Sequence, residues 1–581
     1  MSSSLTEVIP RSVWHGWGDP SRAHPLSDAG WRFLRAELGL VGVGSAGASR
    51  PVALEDVALA PSRLGHEGAG AAARQALADV VGPDHVHLER GWRIEHAGGK
   101  GYPDLYRLRT GDGSDAPDGV VVPGGPDEVA AVLRVCVEHR VGVVPFGGGT
   151  SVVGGVGAAS DRDRFTAVIS LDLRRLDDVL AVDSISRTAT LGPGLRGPEA
   201  ERALQAHGLT LGHYPQSHQE ATVGGYVATR SAGQASSGYG RIDDNVVGLR
   251  LATPRGELVL GGRAPASAAG PRLLDVVIGS EGTLGVITEA TLRVAPLPTA
   301  KRYAAWAHPS FVAGAKALHG LTQHLGRAAL PTICRLSDED ETRVNLTLAG
   351  ASGRRLLRYV RARGLDRPAL LVLVWEGDDE GELRHRQRAA HRLLRKGGGR
   401  PLPKQVARAW ERGRFAGPYL RDELMDHGFL VETLETATTW ANLSRLHAVV
   451  GAAIRGSLGV DGRRAVVMCH VSHVYPDGAS LYYTFVTPQS ADPLAQWRQV
   501  KSAASQAIID GGGTITHHHA VGTDHRDYLS TEIGEVGMGL LRAIKAELDP
   551  SGILNPGKLI PDAPPKALRD ALPDADISWT I

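Results

Sequence analysis

Three adjacent histidines near the C-terminal end form the most distinctive chemical feature of the sequence. His517, His518 and His519 stand in the segment ITHHHAVG (515–522). Neutral imidazole exchanges protons near pH 7, so we favour one functional histidine with two structural neighbours. A zinc site is the alternative, but no nearby cysteine or carboxylate spacing supports it, and we predict no metal. On a strand, His517 and His519 would share one face.

A tyrosine upstream of the histidines could also handle protons. The segment HVSHVYPDGASLYYTFV (470–486) predicts a strand, a turn at 476–478 and a returning strand, with Tyr482 and Tyr483 on opposite faces. A buried tyrosine is more often a core residue. It becomes a proton carrier if its surroundings lower its pKa.

Two arginines are candidates for binding an anionic substrate. Arg335 lies in TICRLSDED and Arg421 in GPYLRDELMD. The guanidinium group is a planar fork that binds phosphate through two parallel hydrogen bonds. The alternative is ion pairing with the acids beside each arginine, at 338–340 and at 422–423.

Glycine-rich loops indicate a bound cofactor. The loop PFGGGTS (145–151) follows an apolar run, and its successive N–H groups could converge on a diphosphate. A plain tight turn is the alternative for this loop alone. The segments 213–257 and 278–294 are also dense in Gly, Ser and Thr, as a cofactor between two small α/β subdomains requires. A G-x-G-x-x-G match at 42–47 is rejected, because Pro51 disfavours the helix that should follow.

The elements around these loops predict a chain of mixed α and β structure. VVVP (120–123), an amphipathic segment (126–140) and VGVVPF (141–146) form a β-α-β pattern that stops at Gly147. The apolar face of that helix is predicted to comprise Val129, Val132, Leu133 and Val137. Pro296 and Pro298 mark a boundary. We expect four parts: 1–114, helical and irregular; 115–297, the first domain; 298–520, the second domain; 521–581, a segment that returns to the first domain.

Composition excludes several classes of protein. The 581 residues carry 64 Lys+Arg and 63 Asp+Glu, a net charge of +1, which argues against a nucleic-acid partner. Cys136, Cys334 and Cys469 are scattered, which argues against disulfides and fits a reducing compartment. No secretory signal and no run of about 18 apolar residues is found, so we expect a cytoplasmic protein.

The order of the glycine-rich motifs resembles the FAD domain of the vanillyl-alcohol-oxidase family. G-G-G-T-S-V is followed by S-x-x-x-x-T-V-G-G, T-P-R-G and G-S-E-G-T-L-G-V-I-T-E-A-T. The resemblance implies an α+β fold: a PCMH-type FAD-binding domain of two α/β subdomains and an α+β cap domain. It implies FAD contacts by Pro145, Phe146, Gly147, Gly148, Gly149, Thr150, Ser151, Gln216, Ser217, His218, Gln219, Glu220, Ala221, Thr222, Thr229, Arg230, Ser231, Ala232, Glu281, Gly282, Thr283, Leu284, Gly285, Val286 and Ile287.

Within that superfamily the chain resembles the alkyldihydroxyacetonephosphate synthases. Beyond the motifs already quoted, it shares R-L-x-D, Y-x-R-D, E-T-x-x-x-W, Y-x-x-G-A-x-x-Y and the final histidine run, all in the same order. The resemblance implies that Tyr482 is the catalytic acid/base and that His517, His518 and His519 are essential. It implies that Arg421 binds the substrate phosphate and that Arg335 is a second arginine needed for activity.

The implied reaction exchanges the acyl chain of acyl-dihydroxyacetone phosphate for a fatty alcohol, as in ether lipid biosynthesis. In that family a C1 proton is removed and N5 of a non-covalently bound FAD serves as a covalent catalyst, without net redox change. His213 and His218 lie near the expected flavin ring, where a covalent link is the alternative. Lipid substrates further suggest peripheral membrane contact, and a homodimer is also expected.

Two differences from the motifs of the synthase family leave a different reaction possible. Eukaryotic members follow the histidines with G-K-x-x-K, whereas this chain reads GTDHR (522–526). The tail LNPGKL (554–559) looks more like that of D-lactate and glycolate dehydrogenases. The alternative is therefore an FAD-dependent oxidase or dehydrogenase of a 2-hydroxy acid or alcohol, with the arginines binding a carboxylate. A non-catalytic flavin module is a third interpretation, and the tyrosine, arginines and histidines in one domain argue against it.

Overall fold

The computed structural model describes residues 12–40, 49–65, 67–459 and 464–561. The rejected glycine match at 42–47 lies outside these described residues, as do both ends of the chain, at 1–11 and 562–581. Within the described ranges, no helix combines the length and hydrophobicity needed to cross a bilayer.

The N-terminal part contributes short helices that contact both later parts of the chain. Its elements are α1 (Asp28–Glu37), α2 (Gly68–Val81), β1 (Val86–His87), α3 (Arg90–Glu95) and α4 (Tyr102–Arg109). Ser27 caps α1 by accepting a hydrogen bond from the Gly30 N–H at 3.2 Å. The Trp17 N–H donates to Asp422 at 2.6 Å, which ties this part to the second domain.

A parallel sheet follows, built on the expected β-α-β unit. Its elements are β2 (Gly119–Val121), α5 (Pro126–Glu138), β3 (Val141–Phe146) and β4 (Ala167–Asp172). The sheet order is β1-β2-β4-β3, in which β2, β4 and β3 run parallel and β1 is antiparallel. The segment around Ile553 joins this sheet, because the Val143 N–H donates to the Ile553 carbonyl at 2.8 Å. That contact places the tail beside the glycine loop.

The second subdomain is an antiparallel sheet with short helices. Its elements are β5 (Val179–Asp183), β6 (Thr188–Leu191), α6 (Gly197–Gln205), β7 (Leu209–Thr210), α7 (Val223–Ala228), α8 (Ser236–Tyr239), α9 (Ile242–Asn245), β8 (Val246–Thr253), β9 (Gly256–Gly261), α10 (Leu274–Val277), β10 (Val286–Arg293) and β11 (Ala295–Pro296). The sheet order is β5-β6-β10-β8-β9, while β7 and β11 form a separate pair.

The second domain is a long antiparallel sheet covered by helices. Its elements are β12 (Ala300–His308), α11 (Phe311–His324), α12 (Gly326–Ala329), β13 (Ile333–Ser337), α13 (Glu339–Leu348), α14 (Gly350–Ala362), β14 (Ala369–Gly377), α15 (Glu380–Lys396), β15 (Arg400–Leu402), α16 (Gln405–Gly413), α17 (Gly417–Asp426), β16 (Phe429–Thr439), α18 (Trp440–Leu458), β17 (Val466–Val471), β18 (Gly478–Pro488) and α19 (Pro493–Asp510). The sheet order is β15-β12-β14-β13-β17-β18-β16.

Large aromatic side chains form the core beneath this sheet. Trp306 and Trp375 are fully buried, together with Phe311 and Phe485. A last helix, α20 (Leu529–Leu548), is interrupted at Gly534, whose φ of 72° is not helical. The predicted α+β class is confirmed, whereas the predicted domain boundaries stay a prediction.

Candidate active site

A cavity of about 1470 Å³ lies between the glycine loops of the first domain and the sheet of the second. Tyr482, His518, His519, Arg335 and Arg421 all line it. Of the expected FAD contacts, the following line it as well: Pro145, Phe146, Gly147, Gly148, Gly149, Thr150, Ser151, Gln216, Ser217, Ala221, Thr222, Thr229, Ser231, Ala232, Glu281, Gly282, Gly285 and Ile287. Segments distant in sequence thus meet around one space.

Other predicted residues stand behind this lining: His218, Gln219, Glu220, Arg230, Thr283, Leu284, Val286 and His517. Val286 is buried in the core of the parallel sheet. Arg230 is half exposed and forms an ion pair with Asp243 at 3.0 Å. Glu220 lines a smaller cavity of about 90 Å³ on the glycine loop.

The glycine loop needs small residues because it packs directly on the segment before α7. A Cβ on Gly147 would lie 2.4 Å from Thr222 Oγ1, and one on Gly148 would lie 2.1 Å from the Glu220 carbonyl. Gly149 has a φ of +64°, in the left-handed region that favours glycine. These constraints fix the main chain of the loop against the cavity.

The lining residues fit FAD. Buried polar atoms on the cavity have no partner in the protein: Gln216 Nε2, Gln234 Oε1 and Asn555 Oδ1. Buried polar groups are nearly always hydrogen-bonded, so these atoms favour a polar ligand. The volume also exceeds the roughly 300–1,000 Å³ typical of small-ligand sites, as a dinucleotide cofactor plus a substrate would require. Neither His213 nor His218 lines the cavity, and non-covalent binding stays a prediction.

Tyr482 lies between aromatic rings on the cavity side of β18. Its ring stacks on His470 with centroids 4.9 Å apart, and the His518 ring is 5.9 Å away on a near-parallel plane. Tyr483 points to the opposite face and donates to the His447 carbonyl at 3.1 Å. Burial raises the pKa of Tyr482 to about 12. The phenol is therefore neutral near pH 7, unlike the lowered pKa that the sequence interpretation required.

The histidine run is an irregular loop and not a strand. His518 and His519 line the cavity, whereas His517 turns away, and its Nε2 lies 2.6 Å from the Tyr475 hydroxyl. The expectation that His517 and His519 share a face is therefore wrong, because alternation of side chains holds only for extended strands. Burial lowers the pKa of His519 to about 3 and that of His517 well below its usual value.

A histidine cluster beside the cavity has the spacing of a metal site. Ligand nitrogens of His473, His517 and His518 lie within 4.8 Å of one another. Protein atoms already contact these rings: His473 Nε2 is 2.9 Å from the Gly233 carbonyl, and Nδ1 of His517 is 2.9 Å from Nδ1 of His518. Hydrogen bonding accounts for the cluster, and the absence of a metal stays a prediction.

Arg335 reaches the cavity from β13. It donates to Glu341 Oε1 at 2.7 Å, and its two terminal nitrogens each lie 3.1 Å from a nitrogen of His470. The ion-pair partner is thus Glu341 and none of the acids at 338–340. Burial alone would raise the pKa of Glu341, but its interactions with His470 and with the Arg335 guanidinium lower it to about 2.

Arg421 reaches the cavity from α17. It donates to Asp422 Oδ1 at 2.9 Å and to the Lys100 carbonyl at 2.6 Å. Arg421 therefore forms an ion pair with the adjacent Asp422 and also lines the cavity. Burial lowers the pKa of Lys100 to about 8, and its ammonium donates to the Val13 carbonyl at 2.7 Å. The N-terminal segment is thereby held against the helix that carries Arg421.

Sequence reasoning missed several residues around the site. Glu435, on β16, accepts hydrogen bonds from the main chain of the histidine loop. His470 stacks on Tyr482, and Asn555 and Gln234 offer unpaired polar atoms to the cavity. Glu435 could have been noticed, because it lies in the strand FLVETLETATT, and a carboxylate is seldom buried without a partner.

Comparisons with known proteins identify the family. The family model described as FAD binding domain matches residues 117–261, and FAD linked oxidases, C-terminal domain, matches 297–559. An alkyldihydroxyacetonephosphate synthase of Trypanosoma brucei brucei is 32% identical, covering 84% of this chain and 80% of the relative. That of Dictyostelium discoideum is 34% identical, covering 82% and 79%.

The chain belongs to the alkyldihydroxyacetonephosphate synthase family. A solved structure titled alkyldihydroxyacetonephosphate synthase superposes on it with a TM-score of 0.80 at 28% identity, covering 94% of this chain and 98% of that one. Membership confirms the resemblance, the PCMH-type fold and FAD as the cofactor of an FAD-dependent enzyme. Which residues of this family member act on the substrate stays a matter of proposal.

Proposed function

We propose that this chain catalyses the exchange of the acyl chain of acyl-dihydroxyacetone phosphate for a fatty alcohol. The observation that carries the proposal is a single cavity that joins the FAD-binding loops to a tyrosine, two histidines and two arginines. Its relatives named for this synthase activity support the same conclusion.

The walls of the cavity suit the two ends of such a substrate. We propose that Arg421 and Arg335 bind the phosphate, since guanidinium groups bind phosphate with two parallel hydrogen bonds. Apolar side chains of the second domain would hold the hydrocarbon chain: Leu346, Leu348, Leu356, Val406, Ala409, Leu420, Leu424, Val431, Met468 and Val486. A small 2-hydroxy acid would leave this apolar region unfilled.

Tyr482 is proposed to move the substrate proton. Its phenol is neutral at pH 7, so it can accept the substrate proton only if its own proton passes to a neighbouring base. His470, whose pKa is lowered by burial, stacks on the phenol ring, and the His519 ring lies 5.4 Å away. These mostly neutral imidazoles are the proposed bases that exchange a proton with the phenol.

FAD, when bound, supplies nucleophilic catalysis by a ring nitrogen, which involves no net oxidation. The contribution of the protein is to hold FAD non-covalently along 145–151 and 216–222, to fix the phosphate and to exclude water from the reacting carbon. Cytoplasmic location, peripheral membrane contact and a homodimer are part of the same proposal.

The test uses the purified, FAD-loaded protein under anaerobic conditions. We expect acyl-dihydroxyacetone phosphate to bleach the visible absorbance of the flavin and to release fatty acid, and added fatty alcohol to restore the colour with formation of the ether product. If only a 2-hydroxy acid bleaches the flavin and an electron acceptor restores it, the chain is instead a dehydrogenase and the proposal is overturned.

A further inference from the structure

The carboxylate of Glu435 lies directly beneath the histidine loop. Its oxygens accept N–H donors from His517 at 2.7 Å, His518 at 3.0 Å and His519 at 2.9 Å. The Thr516 hydroxyl donates to the same group at 2.7 Å. Three successive main-chain N–H groups that converge on one anion form a nest, here filled by a side chain of the protein itself.

Glu435 is also opposite Tyr482 in the sheet. The two residues are register partners in the antiparallel pair of β16 and β18, so their side chains emerge on the same face. One residue thus contacts the loop that carries His518 and His519 and belongs to the strand pair that carries Tyr482. Across this arrangement the Tyr482 ring lies 5.9 Å from the His518 ring and 5.4 Å from the His519 ring.

Side-chain acceptors, and not regular secondary structure, hold the main chain of this loop. Residues 515–521 form no helix or strand, so their N–H groups have no regular partners. A second carboxylate holds the far end, where Glu281 Oε1 and Oε2 accept from the N–H groups of Val521 at 2.8 Å and Gly522 at 2.7 Å. Glu281 comes from the first domain and Glu435 from the second, so the loop is fixed to both.

We propose that Glu435 is a positioning residue for catalysis: its carboxylate fixes the main chain of residues 517–519 and so sets His518 and His519 against Tyr482. The side chain is fully buried and does not line the cavity, so it touches neither FAD nor substrate. Its effect on catalysis is therefore indirect, and that part of the inference rests on the proposed function.

The first test is Glu435→Gln, which keeps the shape but presents an NH2 group to main-chain N–H donors. We expect FAD content to be unchanged, kcat and the anaerobic bleaching rate to fall by about 100-fold, and KM to change little, because small displacements of reacting groups cost about that much. Glu201→Gln is the matched control, since this buried carboxylate accepts from the Thr210 hydroxyl and the Gly212 N–H away from the cavity. Its kcat should equal that of the wild type.

Hydrogen exchange of the peptide spanning 514–522 tests the positioning without any turnover. The amides of 517–519 should exchange slowly in the wild type, faster in Glu435→Gln and unchanged in Glu201→Gln. Slow exchange in both variants, or wild-type kcat in Glu435→Gln, overturns the inference. If the wild type itself lacks synthase activity, the proposed function fails while the exchange result still decides the positioning.

A milder variant covers the case in which Glu435→Gln does not fold. Thr516→Val removes the hydroxyl that donates to Glu435 and that accepts from the His519 N–H at 3.2 Å. We expect a folded, FAD-bound protein with faster exchange at 517–519 and a kcat lowered by about 10-fold, the cost of about 1.4 kcal/mol in the barrier. Wild-type values of both quantities would contradict the role of Glu435.

Discussion

At the scale of single residues, burial decides the protonation of the site. It raises the pKa of Tyr482 to about 12 and lowers the pKa of His519 to about 3, because an apolar enclosure disfavours either charged form. Glu435 behaves differently: burial alone would raise its pKa, but the adjacent His518 ring lowers it well below the usual range. The site therefore combines a neutral phenol with a fixed anion behind the histidines.

Removing the Tyr482 hydroxyl should stop turnover without loss of the cofactor. Tyr482→Phe keeps the ring stacked on His470 and removes only the group that exchanges protons, so we expect kcat to fall by about 10²–10⁴-fold. Absorbance of bound FAD and the melting temperature should not change. Tyr483→Phe is the control: it loses a core hydrogen bond and should lose about 1 kcal/mol of stability at wild-type kcat. Full activity of Tyr482→Phe would show that Tyr482 is not the catalytic acid/base.

The contacts of Glu341 with His470 and Arg335 should make stability depend on acid pH. Since the pKa of Glu341 is about 2 in the folded protein against a usual 4.5, its stabilisation is complete above pH 4.5 and is lost as the pH falls towards 2. The shift corresponds to about 3 kcal/mol. Denaturant unfolding of wild type and Glu341→Gln should differ most above about pH 5 and converge near pH 2. Glu55→Gln, at an exposed position, should show no such pH-dependent difference.

At the scale of elements, two loops and one strand carry the glycine-rich motif, the histidine run and Tyr482. The glycine loop follows β3, the histidine loop follows α19 and Tyr482 lies within β18. The close contact of the glycine loop with the segment 220–222 explains the need for glycine, since a Cβ would collide with the Thr222 side chain at Gly147 and with main chain at Gly148. We therefore expect FAD binding to depend on close approach of the main chain more than on charged side chains.

A methyl group in the glycine loop should abolish FAD binding. In Gly148→Ala the new Cβ would lie 2.1 Å from the Glu220 carbonyl, so the loop must shift away from the cavity. We expect a colourless protein with the far-UV circular dichroism of the wild type and no saturable FAD uptake in titration. Gly125→Ala is the control, because its φ is −172° and nothing lies within 4 Å of the position that its methyl group would take. A yellow Gly148→Ala protein would contradict the assignment of the loop.

At the scale of the whole molecule, the cavity is assembled from every part of the chain. Trp17 and Leu26 of the N-terminal segment, the loops of the first domain, the sheet of the second and Asn555 of the tail all border it. The tail is held by the main-chain bonds of Val143, and the Asn555 side chain donates to the Glu281 carbonyl at 2.6 Å. The proposed cofactor, phosphate and apolar regions therefore belong to one cavity.

The apolar region should make the enzyme discriminate by chain length. Each methylene buried there contributes about 0.8 kcal/mol, so kcat/KM for acyl-dihydroxyacetone phosphates should rise about fourfold per carbon until the region is filled. Steady-state kinetics with a series of acyl chains measures this slope. A flat dependence on chain length would show that the hydrocarbon binds elsewhere.

The sequence by itself predicted the elements whose signals are local. The β-α-β unit at 119–146 and the hairpin that places Tyr482 and Tyr483 on opposite faces follow from hydrophobic periodicity and turn residues. Even there one detail differs: Val137 is partly exposed, and Cys136 completes the buried face of α5. The glycine motifs indicated FAD because their order along the chain resembles that of the FAD domain of the vanillyl-alcohol-oxidase family.

Only the tertiary structure decided which groups meet and in what state. Glu435 and Glu281 hold the histidine loop from two different domains, and sequence spacing carries no information about such distant contacts. Likewise, the Arg335 partner is Glu341 because β13 and α13 bring the two together, although three acids stand closer in sequence. Tyr482 is buried only when the two domains enclose the cavity. Its pKa is raised for that reason, since desolvation depends on the whole fold.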